Sequence, residues 1–228
     1  MNGVLEAISD ADLYDAQYFE QYYTRGDPRR ERMYEQEYSR ILQYFPHGGR
    51  VLDVGCGVGN FLEHFDDRWE KYGVEPSQFA RERAAKRGIT LLRSVNVGDF
   101  NFFDLVIFRG SIQHINYPME TIVQAVRVLK QGGVIAFLAT PDTDSLVYSI
   151  WHRLPALDKP RNWIVFSGKV LVNILERLGM SVEIIHPYFE TPYATPLQDF
   201  GKFVWSLFAG SRPFDWPGNM CEIYGVKK

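Results

Sequence analysis

The hydrophobic pattern of this chain changes character twice. Residues 10–45 place apolar and aromatic side chains at helical spacing, in "LYDAQYFEQYYTRG" and "MYEQEYSRILQYF", which predicts an amphipathic helical segment at the N-terminus. From Arg50 onward, short apolar runs alternate with helical stretches. "RVLDVG", "EKYGVEP", "ITLLRS", "FDLVIFRG" and "VIAFLAT" read as strands; "VGNFLEHFD", "SQFARERAAKRG" and "NYPMETIVQAVRVLKQGG" read as helices. Ser77 is expected to cap the second of these helices and Gly88 to stop it. Pro118 is expected near the start of the third, and Gly132-Gly133 at its end. After Thr140 the rhythm loosens into a long, proline-bearing connection. A helix "GKVLVNILERLG", a strand "SVEIIHPYF", a second irregular segment over 190–220 and a closing strand "MCEIYGVKK" follow.

Strands and helices that alternate through short connections imply parallel βαβ units with right-handed crossovers. The fold class that follows is α/β, built on a doubly wound, mainly parallel sheet. The expected organisation is one domain over residues 1–228. It comprises a helical cap over 1–48, a binding core over 49–140, and loops or a lid on the acceptor side over 141–167 and 188–220. Long connections in a compact α/β domain are usually functional, and these fall late, where strands end near a switch-point crevice.

Composition narrows the classes. A chain of 228 residues that is 46% hydrophobic and 15% aromatic has material for a sizeable core and is not a disordered polymer. Its net charge of -3 supplies no global field for nucleic acid, and the run "GDPRRERM" alternates in sign, as a solvated helix face does. Two cysteines, Cys56 and Cys221, do not make a disulfide framework. The acidic N-terminus lacks the apolar segment of a signal peptide, and no window approaches the about 20 apolar residues of a membrane helix. These features predict a soluble, cytoplasmic protein without an integral membrane segment.

The chemistry centres on "VLDVGCGVGN". A P-loop needs Lys-Ser/Thr after its second glycine, and none follows. The dinucleotide fingerprint G-x-G-x-x-G/A is met by Gly55 and Gly57, but its third place falls on Asn60, with Gly59 one residue early. A third pattern fits: G-x-G-x-G with an acid, Asp53, two residues before the first glycine. Glu75 closes the second strand twenty residues after Gly55, where a carboxylate suits ribose hydroxyls in either kind of site.

With Asp53, Gly59, Asn60 and the block "FDLVIFRG…HINYP…LKQGGVIAFLATP", the sequence resembles the class I S-adenosylmethionine-dependent methyltransferases, closely over Arg50–Thr140. The later segments "TPDTDSLVYSIWHRL" and "YFETPYATPLQDFGKFVWSLFAG" are similar to relatives of the ubiquinone-pathway O-methyltransferases found in polysaccharide and natural-product biosynthesis. The resemblance implies a seven-stranded Rossmann-like sheet and S-adenosylmethionine as cofactor. It places Asp53, Gly55, Cys56 and Gly57 around the methionyl part, with the start of the next helix favouring its carboxylate. Glu75 would hold the ribose with Pro76 beside it, and Val95 and Asn96 would meet the adenine. The usual acid after the third strand is absent there. Arg109 and Gly110 would line the methionine end and face the acceptor. Tyr22 would belong to a lid formed with Tyr14, Tyr18, Phe19 and Tyr23, residues that equally suit an amphipathic helix packed on the body.

An alcohol acceptor needs a base, and His114 in "SIQHIN" is the candidate, with a structural role as its alternative. His152, His186, Asp142 and Asp144 suit surface or structural places, and no third ligand completes a metal site. The Pro-Pro-aromatic, Pro-Cys and double-glutamate signatures of nucleic-acid and protein-arginine enzymes are missing, which leaves a small-molecule acceptor. Trp151, Trp163, Tyr188, Tyr193 and Trp205 offer stacking surfaces, or core. Arg109 would suit an acid-bearing acceptor. "FGKFVWSLFAG" reads as an amphipathic lid helix, or as a membrane-touching one if the acceptor is lipid-linked. The expectation is O-methylation of a sugar or glycan unit. A quinone, lipid or other natural product is the alternative within the fold. An NAD-dependent oxidoreductase or a binding-only module is the alternative outside it.

Overall fold

The structure, a computed structural model, describes residues 27–95, 100–154, 164–186, 195–209 and 218–228, together with 16, 18, 19, 23, 162 and 216. Seven strands form one sheet in the order β3-β2-β1-β4-β5-β7-β6. They are β1 (Gly49–Val54), β2 (Trp69–Val74), β3 (Thr90–Leu92), β4 (Phe103–Arg109), β5 (Leu129–Pro141), β6 (Met180–Ile185) and β7 (Met220–Lys227). The first five run parallel, while β7 pairs antiparallel with both β5 and β6, so the sheet is mixed. The chain order reverses between β1 and β4, and the carboxyl ends of these strands frame the crevice that such a switch point creates.

The central strands are covered on both faces, which is why they read as continuous apolar runs. Their side chains still alternate: Leu105 and Ile107 point to one layer, Val106 and Phe108 to the other. Helices α1 (Pro28–Tyr44) and α2 (Gln78–Lys86) lie on the first side, where Tyr34, Ile41, Phe61, Leu62 and Phe65 pack against Val51 and Leu105. Helices α3 (Pro118–Val128) and α5 (Gly168–Arg177) cover the second, through Ile122, Ala125, Leu171 and Leu175. The short α4 (Leu146–Trp151) follows β5, and α6 (Pro196–Ala209) stands between β6 and β7.

Two expected helices differ. The stretch after the glycine turn is not a full helix but turns and a single 3-10 turn, Leu62–His64. Gly59 sits in the left-handed region (φ 86°), which breaks a right-handed helix at its second residue, and Phe61, Leu62 and Phe65 reach the core from the turns instead. Helix α3 ends at Val128, before Gly132-Gly133, because Leu129 already pairs with Phe103 and the Phe102 N–H donates to the Val128 carbonyl (2.8 Å). Sheet pairing captures the chain before the glycines are reached. Ser77 holds the N-cap place of α2 with an extended backbone but no side-chain capping bond, and Gly88 follows with φ 77°.

Candidate active site

The crevice at the carboxyl ends of β1, β2 and β4 opens into a cleft of about 940 Å³, its solvent-filled mouth included. Its walls bring together Gly55, Gly57, Glu75, Pro76, Val95, Arg109, Gly110 and His114, with Tyr18, Phe19 and Tyr23 across from them. A smaller hollow of about 330 Å³ shares Tyr23, Gly55, Gly57 and Arg109 with the cleft and adds Asp53 and Cys56. Tyr22 and Asn96 lie outside the described residues, as do Tyr14, Trp163, Tyr188 and Tyr193.

The turn is fixed by contacts on every side. At Gly55 (φ 85°) a Cβ would sit 2.6 Å from that of Ser111, so only glycine lets β1 and the end of β4 close together there. At Gly59 a Cβ would fall 2.4 Å from Ile89 Cδ1. The third glycine is therefore needed for packing on the segment before β3, one position earlier than in a dinucleotide fingerprint. The place of that fingerprint's last glycine is taken by Asn60, whose side-chain oxygen accepts from Arg87 (2.8 Å); Arg87 also donates to the Val58 carbonyl and pairs with Glu63 (2.8 Å). Nothing in the motif itself announces Arg87, which stands at the far end of α2.

Glu75 is buried and reaches back to the turn. Its two oxygens accept from the Gly57 N–H and the Ser77 N–H, each at 2.9 Å. Burial pushes its carboxyl up to about 7, against the pull of those two N–H groups and of Arg81. Asp53 is buried too, and its Oδ1 has no hydrogen-bond partner among the described residues. Burial raises its carboxyl to about 7; the Arg109 charge opposes that rise, and Glu75 and Glu37 add to it. An unpartnered carboxylate oxygen facing a hollow is a site for a cationic donor. The Cys56 thiol leads elsewhere: it packs against Gly73, where a Cβ would lie 2.5 Å from Sγ, and burial holds its pKa far above the usual thiol range. Only the backbone of Cys56 is left to serve the hollow.

Arg109 departs most from expectation. Its Nε donates to Glu37 Oε2 of α1 (2.7 Å), Nη2 lies 3.4 Å from Oε1, and the guanidinium stacks over Tyr34 (4.3 Å to the ring centre). Burial alone would lower its pKa, but Glu37 and the surrounding tyrosines outweigh that and hold it above the ordinary value, so the cation is permanent. The same burial lifts Glu37 to about 7 despite Arg109. The charge expected to face an acidic acceptor is thus spent on Glu37. A second pair beside it runs the opposite way: Arg40 of α1 grips Glu222 of β7 at 2.6 and 2.9 Å. Neither glutamate stands out in the sequence; Glu37 is one charge in a run of charges on an amphipathic helix.

His114 ends a 3-10 turn (Ile112–His114) just past Gly110 and lies on the cleft wall, 3.4 Å from Gln113 Nε2. The remaining candidates stand away from it. Asp142 accepts from Gly168 N–H (2.8 Å) and Asp144 N–H (2.9 Å) and pairs with His186 (3.1 Å), while Asp144 accepts from Lys169 N–H. These carboxylates cap the start of α5. His152 closes α4 in the left-handed region. Trp151 packs edge-on to Phe203 of α6, and Trp205 points to solvent. Among the described residues no group of three or more His, Cys, Asp or Glu side chains could hold a metal.

A doubly wound sheet with an antiparallel β7, a glycine turn at its switch point and a ribose-type acid after β2 define a Rossmann-like methyltransferase. A family model described as "Methyltransferase domain" matches residues 27–183, and the chain belongs to that family. S-adenosylmethionine is therefore its methyl donor, and the nicotinamide alternative falls. An uncharacterized protein of Methanocaldococcus jannaschii is 29% identical over 69% of this chain and 76% of its own length. A tRNA U34 carboxymethyltransferase of Aeromonas salmonicida is 31% identical over 64% of the chain, which spans 49% of it. A ubiquinone biosynthesis O-methyltransferase of Pectobacterium atrosepticum is 28% identical over 40% of the chain and 42% of its own. Among solved structures, phosphoethanolamine N-methyltransferase 2 of Haemonchus contortus, bound to S-adenosylhomocysteine, shares the fold with a TM-score of 0.65 at 18% identity, covering 96% of this chain and 60% of that one.

Proposed function

We propose that the chain transfers a methyl group from S-adenosylmethionine to a hydroxyl of an uncharged small molecule, with a sugar or glycan unit as the acceptor class. The observation that carries this reading is the Glu37–Arg109 pair. Among the described residues of the cleft wall it engages the one cation that a carboxylate or phosphate acceptor would seek, and leaves the wall beyond Gly110 to His114, Tyr117, Thr121 and Gln124. Hydrogen-bonding groups of this kind suit a polyhydroxylated ring. The residues fit the cofactor: Glu75 keeps lone pairs for the ribose hydroxyls, Pro76 and Val95 flank that end of the cleft, and Asp53 Oδ1 offers an unpaired acceptor for the methionyl ammonium. Gly55, Gly57 and the Cys56 backbone frame the methionyl part, and Gly110 lets the acceptor approach.

When bound, S-adenosylmethionine supplies an electrophilic methyl on a sulfonium centre. The chain's own work is alignment, exclusion of water, and removal of the acceptor proton. His114 takes that proton as the acceptor oxygen attacks. Tyr18, Phe19 and Tyr23 close the cleft from the other side.

The test incubates the protein with methyl-labelled donor and three acceptor panels: uncharged sugars with free neutral glycans, quinols with catechols, and a tRNA pool. Label on a sugar hydroxyl supports the reading. Label on a quinol moves the protein to the alternative within its fold. Label on tRNA overturns the small-molecule reading, and no label in any panel, with S-adenosylhomocysteine bound tightly, favours a binding module.

A further inference from the structure

Helix α6 is inside out. Its inward side carries Asp199, Phe203 and Ser206, with Asp199 and Ser206 buried. Its outward side carries Leu197 (93% exposed), Phe200 (62%), Trp205 (71%) and Phe208 (85%), joined by Val204 and Leu207. At 100° per residue these six side chains span an arc of about 160° without a charge. The buried acid is accounted for within its own segment: Asp199 accepts from the Thr195 N–H (2.6 Å) and hydroxyl (2.9 Å) just before the helix and binds Lys202 (2.8 Å) one turn on. The lysine nearest the apolar arc is thereby drawn to the flank. Leu146 and Ile150 of α4 are exposed as well, and α4 adjoins α6 through Trp151 on Phe203 (ring centres 5.7 Å apart).

We propose that this face docks the protein on a lipid bilayer, with α6 lying in the plane of the headgroup boundary. An exposed apolar arc of this kind marks an interaction surface, and its features select lipid. It offers no charge and, apart from the Trp205 indole N–H, no side-chain hydrogen-bonding group to a polar protein surface. Among the described residues the face carries eight exposed apolar side chains, against the roughly 20–30 residues of all kinds per side that a stable protein pair buries. At 14 residues the helix is about 21 Å long, too short for a hydrocarbon core of about 30 Å, so it lies along the surface. Its place in the fold adds direction. β6 runs parallel to β1 and β4, so the β6–β7 connection that carries α6 leaves from the same carboxyl edge as the cleft, as does the β5–α5 connection that carries α4. Docking by α6 brings that edge to the membrane, whichever acceptor is used.

The test is flotation of the full-length protein with phosphatidylcholine vesicles, with and without phosphatidylglycerol, beside the variant Leu197→Ser/Phe200→Ser/Phe208→Ser. S-adenosylhomocysteine affinity serves as the check on folding, since these side chains do not line the cleft. The wild type is expected to float with both vesicle types. The variant is expected to lose at least about tenfold in partitioning while it keeps its cofactor affinity, since interfacial binding scales with buried apolar area. Wild type that stays unbound, equal flotation of the variant, or flotation only with the anionic lipid overturns the proposal. So does a wild-type dimer in sedimentation velocity that the variant turns into a monomer, because a second copy then covers the face.

Discussion

Helices α1 and α6 carry the same kind of sequence, apolar and aromatic residues at helical spacing, yet they meet the body in opposite ways. Helix α1 turns its stripe inward: Met33, Tyr34 and Ile41 are buried, and Glu37 goes in with them because Arg109 waits there. Helix α6 turns its stripe outward and buries an acid that Thr195 and, one turn on, Lys202 of the same segment satisfy. Periodicity therefore establishes that a helix has two faces but not which face meets protein. What decides is whether the body supplies a partner for the polar residue on the buried side. For α1 the body supplies two, Arg109 on β4 and Glu222 on β7.

The sharpest way to break this comparison is Glu37→Ala. It leaves the Arg109 guanidinium buried and unpaired, and removing one partner of such a pair costs about 3–5 kcal/mol. Urea denaturation should show that loss, and Glu37→Ala/Arg109→Met should recover most of it. A single-variant loss below about 1 kcal/mol would mean that apolar packing alone seats α1.

Much of this site was legible in the sequence, for reasons that differ residue by residue. Gly55, Gly57 and Glu75 announce themselves because their roles are local: a turn that takes left-handed backbone at both glycines and leaves no room for a Cβ at Gly55, and an acid at a strand end reaching two nearby N–H groups. The parallel strands were legible because burial on both faces writes itself as an apolar run. Arg109 lines the cleft, but the pairing of its charge was not readable, since its partner lies 72 positions earlier in the chain. The missing helix after the turn failed for a similar reason. Its apolar residues satisfy the core as well from turns as from a helix, and the choice falls to one left-handed glycine.

The cleft itself gives the next largest effect. His114→Ala should lower kcat about 10²–10⁴-fold on the true acceptor, the usual worth of a positioned base. The affinity for S-adenosylhomocysteine should stay unchanged by calorimetry. An equal fall in that affinity would assign His114 to the wall of the site and not to proton transfer.

A smaller, graded effect comes from pH. Burial raises Glu37, Asp53 and Glu75 to about 7, above the about 3.9–4.3 of unfolded Asp and Glu. Between those limits the folded chain holds more protons than the unfolded one, so its stability is greatest at the acidic end of the window and declines as pH rises through about 7. The Tm of the ligand-free protein should therefore fall between pH 5 and pH 8, and Glu37→Gln should make that decline shallower. A Tm that rises over this range would show the three carboxylates to be stabilised in their charged form, as surface groups are. Binding adds a sign of its own. In the proposed site a methionyl ammonium beside Asp53 would favour the carboxylate, so S-adenosylhomocysteine should release protons near pH 6.5, read as a dependence of binding heat on buffer ionisation enthalpy.

The smallest effect belongs to α6, and its smallness is informative. Phe208→Ser and Leu197→Ser remove side chains that are already in water, so each should change unfolding free energy by no more than about 0.5 kcal/mol, as substitutions clear of buried features do. Tyr34→Ala on α1, which empties a fully buried aromatic site, should cost about 3–5 kcal/mol in the same assay. If Phe208→Ser instead destabilises the monomer by 2 kcal/mol or more, roughly the worth of a buried Phe, the outward arc is covered within the chain itself. The two helices would then differ in their partners alone and not in direction.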